Sequence, residues 1–451
     1  MSQDLFALLS DAQHQLDAGF SNLPESPAPA LGPEAAAILN EAATRLHDNY
    51  PYAHPLYAGQ MLKPPHPIAR AAYALTMSVN PNNHALDGGR ASSAMELETV
   101  EELAKMFGFP QHLGHLSSSG TFANLEALWV SGQILPGRGI AASDQAHYTH
   151  TRISGVLGLP FIEIPSDSTG RMDMAVLEQA LKTNDIGTVV ATLGTTAVGA
   201  VDPLPQISEL QKKYNFRIHI DSAYGGYFTL ANNLGPEARA AFDTIPQADS
   251  IVVDPHKHGL QPYGCGAILF RDPAVGVFYK HGSPYTYFTS SELHLGEISL
   301  ECSRAGASAV ALWATQRLLP YTRNGQFAQN ISTGREAAIQ FNHRIASDPR
   351  FIAPNTPPQL DIVFYAVRSK EQTPEASSAL AKQIFDEAAA RDLHLALAAL
   401  PVRFFPPNTF PGNATCNVTC LRSVMMKPEH LAWLDQIWQR LDQAINAALT
   451  S

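Results

Sequence analysis

The sequence has few of the features that mark a disulfide-stabilised, metal-binding or membrane protein. No cysteine belongs to a CxxC pair or stands at metal-ligand spacing from a histidine, so we predict reduced thiols and no metal site. No apolar run reaches the roughly 18 residues that a membrane helix needs. The chain has only four cysteines: Cys265, Cys302, Cys416 and Cys420.

Positive charge is also scarce. Lysine and arginine number 30 against 41 aspartates and glutamates, which gives a formal net charge of -11. This sign does not favour a nucleic-acid or anionic-membrane surface as a partner. The N-terminal stretch MSQDLFALLSDAQHQLDAG is typical of an amphipathic helix and not of a secretion signal. These features predict a cytoplasmic protein.

The 451 residues that are present follow a three-part order. Residues 1–55 join helical patterns to a Pro-rich linker and have little core of their own, so we predict an arm that packs on a partner subunit. From about 85 to 320, β-rich runs such as GTVVATLG, FRIHID and DSIVVD alternate with amphipathic helical stretches. This alternation predicts an α/β fold for residues 56–325, with a mainly parallel sheet covered by helices on both faces. Residues 326–451 are predicted to form a smaller C-terminal α/β domain.

Charged residues stand directly after two of these predicted strands. FRIHID ends in Asp221, and DSIVVD ends in Asp254 and is followed by His256 and Lys257. Because α/β sheets bind ligands beyond the carboxyl ends of their strands, we expect the acid and the lysine to face one crevice. A desolvated lysine loses its proton readily and can attack a carbonyl carbon. The alternative is a lysine that extends to solvent at a strand end.

A second motif, HLSSSGTFANLEAL, places small hydroxyl residues and a glycine before a predicted helix. Its Ser119, Gly120 and Thr121 would offer backbone N–H groups and a positive dipole end to a phosphate. The same residues would also make an ordinary helix N-cap. SDQAHYTH adds His147 at another helix start. A lysine, an aspartate, a histidine and a phosphate cradle together indicate a site for pyridoxal phosphate (PLP).

Several motifs, in order along nearly the whole chain, resemble the group II PLP-dependent amino acid decarboxylases. This family includes the aromatic amino acid, glutamate and cysteine sulfinate decarboxylases. The motifs are YAHPLYAGQ, ASSAMELETV, SSSGTFANLEAL, SDQAHYTH, VVATLGTTAVGAVDPL, RIHIDSAYGGYF, DPHKHG and TCLRSVMM. The resemblance implies a fold type I PLP enzyme that converts an L-amino acid to its amine and CO2. It also implies a homodimer with the active site at the subunit interface.

The resemblance implies a role for each residue of the site. Lys257 would form the Schiff base with the cofactor aldehyde, and Asp221 would keep the pyridine nitrogen protonated. His147 would stack on one face of the ring and Ala223 would pack on the other. The remaining cofactor contacts, to the phosphate and beside it, would come from Ser119, Gly120, Thr121, Thr196 and His256.

The family resemblance also suggests how carboxylate and proton are handled. Arg422 in CLRSVMM matches the arginine that binds the substrate carboxylate, although a surface arginine beside a buried strand is the alternative. After CO2 leaves, a positioned acid must protonate the carbanion, and in relatives this is a loop tyrosine. Tyr285 and Tyr287 in GSPYTYFTS are both candidates. Relatives that lack it produce aldehyde, so an aldehyde synthase is an alternative function, as is another PLP lyase or aminotransferase.

Three further residues bear on the substrate. Gln60 in HPLYAGQ and Asn82 in NPNNHALDGG stand where the glutamate and sulfinate enzymes also carry amides, which favours a polar or acidic substrate over an aromatic one. His84 fits neither pattern. Arg304 in SRAGAS resembles a segment near the subunit interface, where it would contact phosphate or carboxylate, or form a structural ion pair.

Overall fold

A computed structural model describes residues 4–24, 31–85, 88–280, 298–411 and 416–450. In these ranges the helices are α1 Leu5–Ala18, α2 Ala35–Leu46, α3 Pro67–Met77, α4 Arg90–Phe107, α5 Gly120–Ile134, α6 Thr149–Leu157, α7 Met174–Thr183, α8 Leu204–Lys213, α9 Pro236–Asp243, α10 Gly306–Leu318, α11 Gln326–Ser347, α12 Pro374–Ala389 and α13 His430–Thr450. The strands are β1 Leu113–Ser117, β2 Gly139–Ser143, β3 Phe161–Ile164, β4 Ile186–Thr192, β5 Arg217–Asp221, β6 Ser250–Val253, β7 Gly266–Phe270, β8 Phe351–Ile352, β9 Ile362–Val367, β10 Ala396–Pro401 and β11 Asn417–Val424.

The larger sheet has seven strands in the order β1-β7-β6-β5-β4-β2-β3. Strands β3, β2, β4, β5 and β6 pair in parallel, whereas β7 is antiparallel to both of its neighbours. Parallel neighbours need a crossover connection, and the helices between these strands supply it. This mainly parallel arrangement confirms the predicted α/β class.

The central strands of this sheet are buried along their whole length, which explains their apolar runs. Every residue of β4, β6 and β7 is buried, so these strands lack the alternation of a half-exposed strand. Ile220 and Ile251, on adjacent strands, are both fully inaccessible to solvent. Burying an aliphatic side chain of this size stabilises the fold by about 1.5–3 kcal/mol.

The smaller sheet is antiparallel throughout, in the order β10-β11-β9-β8. Its core is shared with helices α11, α12 and α13, through residues such as Phe341, Ile384 and Leu441. Leu56 and Ala58 join the same core from the N-terminal side. The predicted domain boundaries at residues 55 and 325 stay a prediction.

The N-terminal helices lie on the surface. Neither α1 nor α2 contains a buried residue, and Phe6 and Ile38 expose 72% and 60% of their surface. Helix α1 contacts α3, where the Ser78 hydroxyl donates to the Gln13 side-chain oxygen at 2.6 Å. None of the helices in the described ranges combines the length and hydropathy of a membrane span.

Two glycines let the loops after β4 and β5 touch. Gly194 has a φ of +104°, and a Cβ there would lie 3.0 Å from the backbone of Gly225. A Cβ on Gly225 would in turn collide with the main-chain oxygen of Leu193. Both loops border the carboxyl edge of the sheet, so their close approach shapes that edge.

We predict that Gly225→Ala lowers the free energy of unfolding by about 1–3 kcal/mol, because the new methyl group overlaps backbone that cannot rotate away. The measurement is the urea midpoint at constant slope. Gly235→Ala is the matched control, since a Cβ at Gly235 meets nothing within 4 Å. Equal midpoints for the two variants would contradict the argument.

Candidate active site

The carboxyl ends of the parallel strands converge on a cavity of about 170 Å³. Asp221 is the last residue of β5, and Asp254 and Lys257 follow β6. His147 follows β2, and Gly120 begins α5, the helix after β1. Because parallel strands end at the same edge of a sheet, residues far apart in the sequence face one space.

All nine residues predicted to contact the cofactor line this cavity. They are Ser119, Gly120, Thr121, His147, Thr196, Asp221, Ala223, His256 and Lys257.

Asp221 is buried, and three donors surround its carboxylate. His150 Nε2 donates to Oδ2 at 2.8 Å, Asn124 Nδ2 donates to the same oxygen at 3.3 Å, and the Ala223 N–H donates to Oδ1 at 3.1 Å. Burial alone would raise the pKa of Asp221, but the hydrogen bond and charge of His150 lower it well below its usual value. Asp221 therefore carries a negative charge at neutral pH.

A buried chain of hydrogen bonds fixes the orientation of the Asn124 amide. The His219 Nε2–H donates to Asn124 Oδ1 at 2.8 Å, and the Ser250 hydroxyl donates to His219 Nδ1 at 2.9 Å. Burial lowers the pKa of His219 to about 3, so the ring is neutral and has one N–H to donate. With its oxygen occupied, Asn124 presents its NH2 group to Asp221.

Lys257 lies in the loop after β6, beside two other titratable groups. Its Nζ lies 3.1 Å from Asp254 Oδ2, and His256 Nε2 lies 3.5 Å from the same oxygen. The opposite ring nitrogen of His256, Nδ1, donates to the Cys265 carbonyl at 2.8 Å. Burial lowers the pKa of His256, so its ring is neutral and directs the Nε2 lone pair to the cavity side.

The start of α5 serves as N-cap and as cavity wall at once. Ser119 Oγ accepts the Phe122 N–H at 3.3 Å, which is an N-cap hydrogen bond. Gly120 follows, and a Cβ there would lie 2.6 Å from Asp254 Oδ1. Any side chain would therefore displace Asp254. The N-cap, which the sequence left as one alternative, is present in the structure, and the phosphate cradle stays a prediction.

His147 lies on the wall formed by the loop before α6. Its Nδ1 and the Thr149 hydroxyl are 2.9 Å apart. Burial lowers the pKa of His147, which keeps the ring uncharged at neutral pH. An uncharged aromatic ring at a cavity wall is suited to stacking on a planar ligand.

The cavity fits pyridoxal phosphate. It combines the amine of Lys257, the ionised carboxylate of Asp221 and the helix start at Gly120. Two oxygens of its lining, Thr192 Oγ1 and Asp254 Oδ1, are buried with no hydrogen-bond partner among the described residues. Orphaned polar atoms in a cavity wall are typical of a site whose ligand completes the hydrogen bonding.

The predicted substrate residues divide into two groups. Arg422 is buried and donates to the carbonyls of Thr196 at 2.6 Å and Ala197 at 3.0 Å, and it approaches Gln60 Oε1 at 3.4 Å. Thr196 also lines the cavity, so Arg422 and Gln60 lie directly behind its wall.

Asn82 and His84 form the second group, and neither appears among the described residues that line the cavity. Asn82 Nδ2 donates to Ser303 Oγ at 3.1 Å, and its Oδ1 accepts the Arg304 N–H at 3.0 Å. The Arg304 guanidinium is bound by the carboxylate of Glu96, so the structure shows the ion pair that the sequence left as one alternative. Tyr285 and Tyr287 lie outside the described residues.

Among the polar groups that the sequence interpretation did not place at the site are Asn124 and Asp254, which line the cavity, and His150, which binds Asp221. The signals were present. His150 follows His147 by three residues at a helix start, and Asn124 follows Gly120 by one helical turn. Gly120 and Asn124 share one face of α5, and His150 lies close to His147 in the chain, so both could have been placed beside the cavity.

We predict that His150→Ala lowers the free energy of unfolding by about 2–3 kcal/mol at pH 7, because it removes a buried hydrogen bond to a charged group. An unfolded aspartate titrates near pH 3.9, and the folded pKa of Asp221 is lower. The stabilisation is therefore present above pH 3.9 and is lost as the pH falls through the folded value.

Urea unfolding at pH 7, 5 and 3 measures this difference, because only the lowest of these values lies below the unfolded pKa. The difference between parent and variant should be constant at the two higher pH values and shrink at the lowest. His343→Ala, at an exposed histidine, is the control and should leave the midpoint unchanged. A pH-independent loss would mean that His150 contributes packing alone.

Comparison with known proteins identifies the family. Residues 123–367, more than half of the chain, match the family model "Pyridoxal-dependent decarboxylase conserved domain". An L-tyrosine decarboxylase of Enterococcus faecium is 28% identical over 406 residues, covering 67% of this chain and 66% of that protein. A probable L-tyrosine/L-aspartate decarboxylase of Methanothermobacter thermautotrophicus is 29% identical over 262 residues, covering 57% and 70%.

The fold is shared with solved structures. The Oryza sativa TDC with PLP and tryptamine superposes with a TM-score of 0.79 at 18% identity, over 98% of this chain and 96% of that one. This similarity confirms the fold type I architecture. The chain spans just under two thirds of the Enterococcus protein's length. Because the family model matches more than half of its residues, the chain belongs to the pyridoxal-dependent decarboxylase family.

Proposed function

We propose that this chain uses pyridoxal phosphate to remove the α-carboxylate of an L-amino acid, which yields the amine and CO2. One observation carries the proposal: the Lys257 amine and the ionised Asp221 carboxylate face the same cavity in a pyridoxal-dependent decarboxylase fold. The lysine supplies the nucleophile and the aspartate supplies a fixed negative charge, which are the two groups that PLP chemistry requires of a protein.

When bound, pyridoxal phosphate supplies an aldehyde that captures amines and a protonated ring that accepts the electron pair of the broken bond. In this proposal Lys257 holds the aldehyde carbon until substrate displaces it. Asp221 keeps the proton on the ring nitrogen, because the adjacent negative charge favours the protonated form. His147 would stack on one face of the ring and Ala223 would pack on the other, where a small side chain leaves room.

Arg422 is the proposed binding group for the substrate carboxylate. Its guanidinium is buried, and within the described ranges it forms no salt bridge to a carboxylate, although buried charges are usually paired. Burial lowers its pKa, which reflects the cost of leaving the cation without a counter-ion. The carbonyls of Thr196 and Ala197 hold the guanidinium in place. A substrate carboxylate would supply the missing partner.

The substrate side chain is proposed to be polar or acidic. Gln60 is the candidate amide that lies beside Arg422, whereas Asn82 is bound to Ser303 and Arg304. The Enterococcus relative is an L-tyrosine decarboxylase, and the Methanothermobacter relative is a probable L-tyrosine/L-aspartate decarboxylase. An amide near the carboxylate-binding group suits a second polar group on the substrate better than an apolar ring.

A panel of the twenty amino acids, incubated with the protein and PLP, tests the activity and the preference. We expect CO2 and the matching amine in equal amounts, with a higher kcat/KM for aspartate or glutamate than for phenylalanine or tryptophan. Lys257→Ala should abolish both CO2 release and the visible absorbance of bound cofactor, while the exposed control Lys212→Ala keeps both. Turnover by Lys257→Ala would overturn the role given to this lysine.

The proton donor is proposed to be Tyr285 or Tyr287. It acts after CO2 departs, so loss of its hydroxyl leaves a long-lived carbanion open to oxygen. We predict that only one of the two single variants, Tyr285→Phe or Tyr287→Phe, shifts the product from amine to aldehyde, ammonia and peroxide. The KM for the substrate should change little. Amine at the parental rate from both variants would place the donor elsewhere. Aldehyde as the main product of the parent would favour the aldehyde-synthase alternative.

The protein is proposed to act as a homodimer with the active site at the subunit interface. The apolar side chains of α1 and α2 support this proposal, because Phe6, Ile38 and Leu39 are exposed in the single chain and a partner would cover them. Sedimentation equilibrium measures the oligomeric state directly. The cytoplasmic location stays a prediction.

A further inference from the structure

Asp254 stands between the lysine and the phosphate cradle. It is buried, and its Oδ2 lies 3.1 Å from Lys257 Nζ. Its Oδ1 has no hydrogen-bond partner among the described residues, and a Cβ on Gly120 would lie 2.6 Å from that oxygen. The unpartnered oxygen therefore borders the first residue of α5.

A carboxylate at this position conflicts with the charge of the proposed ligand. A phosphate monoester carries about −1.5 to −2 charges at pH 7, with a second pKa near 6. A helix start suits such an anion, but a buried carboxylate next to it does not. Two acidic groups in one buried site cannot both stay fully ionised, and sharing a proton relieves the repulsion.

Of the described groups around Asp254, one is a cation. Lys257 is that cation, and in the proposed function its nitrogen is committed to the cofactor carbon. His256 is neutral, and its one N–H is used by the Cys265 carbonyl, so Nε2 offers a lone pair and no proton. The other titratable groups that interact with Asp254, from three different segments, are uncharged at neutral pH: His147, Tyr227, Tyr263 and Cys265.

We propose that Asp254 and the cofactor phosphate share one proton, which the site takes up when PLP binds. The proton makes Oδ1 a hydrogen-bond donor towards the phosphate and gives this orphaned oxygen its partner. Asp254 is thereby a positioning residue for the cofactor. The inference rests on the proposed function, because it requires that PLP binds at Lys257.

The proton linkage has a measurable consequence for affinity. Above the second pKa of phosphate, the free ligand is a dianion, so binding must draw the shared proton from solvent. The Kd for PLP should then rise roughly tenfold for each pH unit, relative to a variant without the carboxylate. Asp254→Asn is that variant, because an amide of the same shape donates a hydrogen bond without taking up a proton.

The test is calorimetric titration of the cofactor-stripped full chain with PLP and with pyridoxal, which lacks the phosphate. Phosphate-free buffers of different ionisation enthalpy, between pH 6.5 and 8.5, give the number of protons taken up, and the visible absorbance reports binding at Lys257. For the parent we expect about one more proton with PLP than with pyridoxal. For Asp254→Asn this difference should vanish. Asp185→Asn, at an exposed aspartate, should behave as the parent.

Each outcome has one meaning. An equal proton count for PLP and pyridoxal in the parent overturns the inference, and this comparison does not depend on any variant. An undiminished difference in Asp254→Asn assigns the proton to another group and also overturns it. Asp254→Ser, a smaller neutral donor, serves if the asparagine variant does not fold. Failure of PLP to give a visible absorbance band with the parent would instead contradict the proposed function itself.

Discussion

An ionised carboxylate can be buried only where hydrogen bonds replace the water it loses. Asp221 meets this condition through His150, Asn124 and the N–H of Ala223. These donors come from two helices and from the turn after β5, so the charge of one side chain depends on the positions of three separate segments. The proposed chemistry depends on that charge in turn, because an uncharged Asp221 would not hold a proton on the ring nitrogen.

The charged groups of the cavity come from different elements of the fold, and these elements determine where each charge lies. The ends of β5 and β6 bring carboxylates to the edge of the sheet, whereas the loop after β6 brings the lysine and α5 brings backbone N–H groups. Arg422 reaches the back of the same wall from the smaller sheet. The negative charge of Asp221 and the N–H groups of α5 would orient a cofactor that carries a basic nitrogen and a phosphate on opposite sides of its ring, whereas Asp254 borders α5 itself.

The smaller sheet reaches the back of the cavity wall through Arg422, which contacts the loop after β4 of the larger sheet. The carbonyls of Thr196 and Ala197 belong to the loop after β4, and they hold the guanidinium of a β11 residue. A guanidinium fixed by main-chain carbonyls keeps its direction while its charge stays unpaired. The same loop contains Gly194, which lies against Gly225 of the loop after β5. The absence of side chains at both positions permits the two loops to approach each other.

The sequence by itself determined the three central strands β4, β5 and β6 of the larger sheet and the placement of Asp221 and Lys257 after strand ends, because apolar runs and strand termini are local properties. It also identified the family and nine of the residues that line the cavity, through motifs that are contiguous in the chain. Only the tertiary structure decided that His150 and Asn124, 71 and 97 residues from Asp221, bind its carboxylate, and that Gln60 but not Asn82 lies beside Arg422. Such contacts depend on strand order and on how helices pack over the sheet, and no local periodicity carries that information.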